Sequence, residues 1–384
     1  MKILFPYMAR WNSANMSRYY HLFRRVADIG HTVIVVQPPA RTSQETNYID
    51  LPMEPHPNIL LHTAQIPGWL WNTRFPLDKF VKKAIYTLFS WKSVRDLAGT
   101  QQPDVIVIYN LPQYIYLLGS HIPVIFDYAD DYRAMLVHEL GIADHHPVLW
   151  LTDDVTRRII HRSVLVTAVS GLILESVDCA HKLLLPNGAD EPESLHTDTV
   201  LHIERDKPVI GYVGAFEYFI DLDLMLEAAR RLPQCRFLYV GAGREYPRVK
   251  EYVAERKLQN VLLTGAVPHH QAMQFISEMD ICLNLFVKCR VADAASPIKL
   301  FEYMIRRKPV ISTRLQEVGR IDNGTDALYY ADTAEEVVSE VRRILDNPSE
   351  RDRKTGRGAE LVRKEYSWPA LAAHFVSAMQ NNPV

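Results

Sequence analysis

The stretch Ser296-Pro-Ile-Lys-Leu-Phe-Glu-Tyr-Met-Ile-Arg-Arg-Lys-Pro-Val-Ile-Ser-Thr313 reads as a helix followed by a buried strand. Ser296 suits an N-cap and Pro297 a first helical position. Lys308-Pro309 stops the helix, and Val310-Ile311 begins the strand. Lys299 and Glu302 lie one helical turn apart, so they share a face. A helix start offers unpaired N–H groups to an anion, and Lys299 adds a cation beside them. Glu302 adds an acceptor able to grip two neighbouring hydroxyls of a ribose. The pattern predicts a nucleoside diphosphate site. On an isolated helix the same two residues would be a solvated ion pair, so the flanking architecture has to decide.

Apolar runs of strand length flank this stretch at 3–5, 33–36, 59–61, 105–109, 124–126, 165–169 and 183–185. A second series lies at 209–213, 237–240, 261–263, 281–286, 310–312 and 327–330. Segments of helical length separate the runs. Short buried strands between helices indicate parallel sheets covered on both faces. Two series predict an α/β protein of two doubly wound, Rossmann-like domains, with ligands near the carboxyl ends of the strands. The polar stretch 186–208 marks the join. The domains are expected at 1–190 and 205–366, with the last helix, in 367–384, returning to the first.

The chain has 384 residues, of which 48% are hydrophobic, enough for two ordinary cores. Its net charge of −2 gives no global basic field for nucleic acid. Four cysteines show no zinc spacing; Cys179 and Cys282 read as buried thiols in a reducing cytoplasm. The N-terminus reads as a short strand rather than a signal peptide, and no apolar run is long enough to span a membrane.

The 296–313 stretch resembles the donor-site signature of the GT-B glycosyltransferases of family 4, closest to a teichuronic-acid-type subgroup carrying Pro-x-Lys-Leu-(Phe/Tyr)-Glu-Tyr. Val209-Ile-Gly-Tyr-Val-Gly-Ala215, Leu185-Pro-Asn-Gly188, Phe237-Leu-Tyr-Val-Gly241 and Ser367-Trp368 follow in the expected order. The resemblance implies the GT-B fold, two domains facing a central cleft, with the donor in the second and the acceptor in the first. It implies that Gly214, Ser296, Pro297, Ile298, Lys299, Leu300 and Glu302 bind the donor, Glu302 taking the ribose and Lys299 the diphosphate. The chain also departs from the pattern. The first acid of the family's Glu-x7-Glu is Ala294, beside Asp293, and Ala215-Phe-Glu-Tyr-Phe-Ile-Asp221 replaces the usual Arg and Lys after Gly214.

In the first half, the loop from Tyr7 to Arg18 follows a strand, so Arg10, Trp11 and Asn12 are candidates for acceptor contact; the bland reading is a surface loop capped at Ser17. Phe126-Asp-Tyr-Ala-Asp-Asp-Tyr132 gathers three carboxylates, which raise one another's pKa or attract a hydroxyl-rich ligand or a cation. Asp127 is taken as a catalytic candidate alongside Lys299, and Asp130 as an acceptor contact, against capping by Asp130 or Asp131. Asp221-Leu-Asp223 reads as a helix start. His269-His270 reads as a loop or helix start, because adjacent residues do not converge on one metal. Gly241-Ala-Gly243 is too short for a dinucleotide fingerprint.

Residues 66–95 hold three tryptophans and six basic residues against one acid. On a helix, Lys79, Lys82 and Lys83 would share a solvated face, with Phe80, Ala84, Ile85, Leu88 and Trp91 opposite. That pattern suits an anionic membrane surface, and equally an ordinary helix packed on the first sheet.

The resulting expectation is a retaining, metal-independent transferase with no cofactor. It would take a nucleotide-sugar, UDP-sugar favoured, to a glycan or lipid-linked acceptor. Its place would be the cytoplasm, peripheral at the inner face of the plasma membrane. The rivals are a nucleotide-sugar 2-epimerase and a non-catalytic binding protein on the same scaffold.

Overall fold

A computed structural model describes residues 1–13, 17–41, 54–75, 77–192 and 206–381. The chain divides into two compact units, Met1–Pro186 with Leu371–Val384, and Asn187–Ala370. Most of the expected join falls outside the described residues.

The first unit carries β1 (Lys2–Pro6), β2 (Thr32–Gln37), β3 (Ile59–Thr63), β4 (Val105–Ile108), β5 (Val124–Tyr128), β6 (Leu165–Ala168) and β7 (Lys182–Leu184). They form one sheet in the order β3-β2-β1-β4-β5-β6-β7. Every pairing in it is parallel. The central strands are runs of Val and Ile buried from end to end, as a sheet covered on both faces requires. Their connections are α1 (Arg18–Asp28), α2 (Gly68–Asn72), α3 (Asp78–Gln101), a 3-10 segment (Leu111–Leu117), α4 (Tyr132–Leu140), α5 (Pro147–Arg162) and α6 (Gly171–Glu175). Cys179, expected to be buried, is only half-buried in the loop after α6, where its thiol donates to the His181 carbonyl. Cys282 is fully buried.

The second unit repeats the plan with β8 (Val209–Val213), α7 (Leu222–Arg231), β9 (Arg236–Val240), α8 (Tyr246–Glu255), β10 (Val261–Gly265), α9 (His269–Glu278) and β11 (Ile281–Asn284). It continues through α10 (Arg290–Asp293), α11 (Ile298–Ile305), β12 (Val310–Ser312), α12 (Gln316–Ile321), β13 (Tyr329–Tyr330), α13 (Ala334–Asp346) and α14 (Pro348–Glu365). The sheet order is β10-β9-β8-β11-β12-β13, again parallel throughout. Asp221 accepts from Leu224 N at 2.9 Å and caps α7, as its sequence position suggested. The last helix, α15 (Trp368–Asn381), begins in the second unit. From Leu371 it belongs to the first, where Phe375 meets Phe23 edge-on.

The chain order reverses beside the first strand of each sheet. In the second unit β8 has β9 on one side and β11 on the other. The loops after β8 and β11 therefore leave in opposite directions and open a crevice at their carboxyl ends.

Helix α11 differs from its reading in one detail. Pro297 takes the N-cap place and the helix begins at Ile298. Ser296 does not cap it; its hydroxyl accepts from Asn187 N at 3.1 Å, and its carbonyl accepts from the Asn187 side chain. Proline has no N–H for a serine to cap, and a cap oxygen meets N–H groups two or three residues on. Ser296 instead ties α11 to the Leu185-Pro-Asn-Gly188 motif.

Candidate functional site

The carboxyl end of β8 shows how the donor-side residues come together. Tyr303 of α11 meets this strand end: Val213 N donates to its Oη at 2.8 Å, and the hydroxyl donates to the Val213 carbonyl at 3.4 Å. Gly214 follows with a φ of 148°, a conformation side chains rarely adopt. A Cβ there would sit 2.8 Å from Lys299 Cε and 2.9 Å from Tyr212 Oη. Gly241, at the end of β9, is as constrained: a Cβ would meet the Gly214 carbonyl at 2.0 Å. The short glycine pair 241–243 is thus explained by close backbone approach between two strand ends.

Lys299 stands on the first turn of α11. Its Nζ lies 4.8 Å from the Tyr212 ring centre, 5.2 Å from the Phe286 ring centre and 3.4 Å from Tyr212 Oη. Burial pushes its ammonium down to about 8, with Glu302 opposing the shift. Among the described residues it has no ion-paired carboxylate within contact distance; two ring faces and the more distant charge of Glu302 are what it meets. A cation held this way gains when an anion arrives.

Glu302 follows one turn later, 8% exposed in a helix otherwise buried through Leu300, Phe301, Tyr303, Met304 and Ile305. His269, the first residue of α9, places Nε2 at 2.8 Å from Glu302 Oε1. Arg306 donates to the Glu302 carbonyl, and burial pushes its guanidinium down. Where the wider signature has an acid, Ala294 is buried, and Asp293 accepts from Gln316 N at 3.1 Å.

Known proteins match part of the chain in sequence. Residues 223–377 match the Glycosyl transferase-like family. Alpha-D-kanosaminyltransferase of Streptomyces kanamyceticus is 29% identical over 174 residues, 43% of each chain. TuaH of Bacillus subtilis, a glycosyltransferase whose name assigns it to teichuronic acid biosynthesis, is 27% identical over 117 residues, 30% of this chain and 29% of its own. The chain thus spans less than half the length of these curated relatives. The solved structure of Anabaena HepE with UDP and glucose superposes with a TM-score of 0.69 over 99% of this chain and 100% of that one. At 12% identity that likeness speaks for the fold. The chain has the GT-B fold, and part of it is similar in sequence to glycosyltransferases.

In the first unit of this GT-B fold, Asp127 is enclosed. Arg18 Nε and Nη2 donate to its two oxygens at 3.0 and 2.8 Å, and Thr167 Oγ1 adds a bond of 2.6 Å. Arg18 Nη1 also donates to the Leu185 and Pro186 carbonyls, at the end of the unit. Asp127 thus anchors a buried, bidentate pair. The sequence reading missed Arg18; its only signal was a cation opening an aromatic, buried helix.

Asp130 is exposed, yet surrounding protein bulk pushes its carboxyl up; Asp127 and Asp131 add to the shift, while Lys83 and Arg18 oppose it. Asp131 accepts from Ala134 N and caps α4. Among the described residues no three His, Cys, Asp or Glu side chains are grouped to hold a metal ion. Trp11 is buried against Tyr7 and Tyr20 rather than presented to solvent. Arg10 donates to the Pro38 carbonyl at 2.9 Å and to Thr63, which fastens its loop to the ends of β2 and β3. Asn12 is half-buried; residues 14–16 of the same loop lie outside the described residues.

The solvated lysine face expected on α3 does not exist as drawn. Lys82 is buried, and its Nζ donates to the carbonyls of Leu70, Trp71 and Thr73. A five-residue helix leaves its carboxyl-end carbonyls unpaired, and Lys82 satisfies them while lying over the Trp71 and Phe75 rings. The Lys79 side chain lies outside the described residues. Ile85 and Tyr86 face the core, whereas Phe80, Ala84 and Leu88, assigned to one face with Ile85, are exposed. No described helix is long and apolar enough to cross a membrane.

Proposed function

We propose that this protein transfers a sugar from a nucleoside diphosphate sugar, UDP-sugar favoured, to a hydroxyl of a cell-envelope glycan, glycolipid or lipid-linked precursor. In this reading it is a family 4 enzyme of the teichuronic-acid-type subgroup, retaining and independent of metal. The single observation that carries the reading is Lys299 and Glu302 one turn apart on α11, with Lys299 pressed against Gly214 at the end of β8. The UDP and glucose in the HepE structure support the choice of donor. Glu302 takes the ribose hydroxyls, and Lys299 with the first N–H groups of α11 takes the diphosphate. The bond from the anomeric carbon to the diphosphate oxygen breaks, and a bond to the acceptor oxygen forms on the same face. The leaving diphosphate takes the acceptor proton, and Lys299 stabilises the charge that develops on it. Arg10, Asn12 and Asp130 are the acceptor candidates that keep exposed surface.

A membrane-borne acceptor draws on a separate observation. Trp69 is 76% exposed and Trp150 is 64% exposed, with Leu88 and Leu151 exposed as well, all in the first unit. Largely exposed tryptophans suit a lipid interface.

The test is nucleotide release from UDP-glucose and related donors, with and without lipid-linked and soluble glycan acceptors, in the presence of chelator. Acceptor-dependent release that survives chelation is expected. Acceptor-independent conversion of the sugar would favour an epimerase, and no turnover of any donor would favour a binding protein. Glu302→Gln should weaken UDP binding by roughly 1.5–3 kcal/mol, the worth of bonds to a charged acceptor; unchanged affinity in calorimetry would remove Glu302 from the donor site.

A further inference from the structure

We propose that His269 is a positioning residue that holds the Glu302 carboxylate in the orientation that receives a ribose. The inference deepens the donor reading above and rests on it.

A carboxylate within an apolar, buried helix needs a polar partner to remain ionised. Glu302 is the acidic residue in α11, and Leu300, Phe301, Tyr303, Met304 and Ile305 around it on that helix are buried. His269 meets it from another element at 2.8 Å. Against an ionised carboxylate, Nε2 must carry the proton and donate. His269 is fixed in place by its own helix. Gln271 N and Ala272 N both donate to the Pro268 carbonyl, and Ala272, Met273, Phe275 and Ile276 anchor α9 in the core. The contact therefore ties a rigid helix start to the one carboxylate of α11. A carboxylate accepts about four hydrogen bonds, so a bond at Oε1 leaves capacity for a ligand. Its effect is to restrict the carboxylate's rotamers before the ligand arrives, which is where preorganisation raises affinity. The imidazole keeps some exposure, with 24% of its side-chain surface open.

The experiment compares UDP with 2′,3′-dideoxy-UDP by calorimetry on the full chain, for the wild type, His269→Ala and His269→Gln. The wild type should prefer UDP. His269→Ala should lower UDP affinity about tenfold, the worth of one bond to a charged group, and leave the dideoxy nucleotide unaffected. His269→Gln places an amide N–H at similar reach and should recover most of the loss. Equal losses for both nucleotides would make His269 a general structural residue and overturn the proposal, as would an alanine variant that still discriminates fully or a glutamine variant no better than alanine. A wild type that binds both nucleotides equally would instead remove the ribose contact at Glu302, and the proposal with it. A wild type that binds neither would overturn the donor reading itself.

Discussion

The carboxyl ends of the two sheets are built from similar strands but use their charges differently. In the first unit, Asp127 is locked between Arg18 and Thr167, and Arg18 Nη1 donates to the carbonyls of Leu185 and Pro186. In the second, Lys299 rests on two aromatic faces and its ammonium is pushed down by burial. A buried charge with all its partners in the protein stabilises the fold and has little left for a ligand. A desolvated cation resting on ring faces without a contacting carboxylate is unfavourable alone and gains when an anion binds. The comparison teaches that burial of a charge does not itself mark function; the completeness of its partners does.

Arg18→Ala should have the largest effect, and on stability. It leaves Asp127 buried without its cation, at a cost of about 3–5 kcal/mol. Urea unfolding should show the loss, while UDP affinity of the folded variant stays near the wild type. A stable variant with impaired nucleotide binding would reverse the roles assigned to the two units.

Lys299→Ala should do the opposite, lowering turnover about 100-fold with little change in unfolding free energy. The pH dependence sharpens this. The ammonium of Lys299 titrates near 8, below the usual lysine value, so its charge is present below pH 8 and lost above it. UDP affinity should fall about tenfold from pH 7 to pH 9, and Lys299→Arg should flatten the profile because a guanidinium stays charged. The free protein should show the reverse trend in stability. Between pH 8 and the ordinary lysine range the unfolded chain holds a proton that the folded chain has lost, so stability rises with pH there. A flat binding profile for the wild type would show that Lys299 does not meet the diphosphate.

The smallest expected effect concerns the exposed surface of the first unit. Binding to anionic liposomes should be salt-sensitive, with Lys92→Glu and Arg95→Glu each removing about 1 kcal/mol, and Trp69→Ala should weaken it further. Lys82→Glu belongs to a different class: it would unfold the α2–α3 junction rather than discharge a surface. Equal sedimentation with neutral and anionic vesicles would leave a soluble acceptor as the better reading.

Much of the architecture was legible in the chain. Apolar runs such as 33–36 and 209–213, spaced by helical segments, suit strands buried on both faces of a parallel sheet, so both strand series could be read directly. The spacing of Lys299 and Glu302 was equally local, because a helical turn fixes it. What stayed hidden was contact across long separations. Arg18 and Asp127 are 109 positions apart, and His269 and Glu302 are 33 apart. Lys82 looked solvated because periodicity assigns a helix face but cannot show that a neighbouring helix end needs a cation. The sequence by itself determined the elements, their alternation and the spacing that makes Lys299 and Glu302 candidates for a nucleotide, since these follow from propensity and period. Only the tertiary structure decided which charges are paired inside the protein and which lie without a contacting counter-ion, because that depends on the partners that folding brings to each side chain.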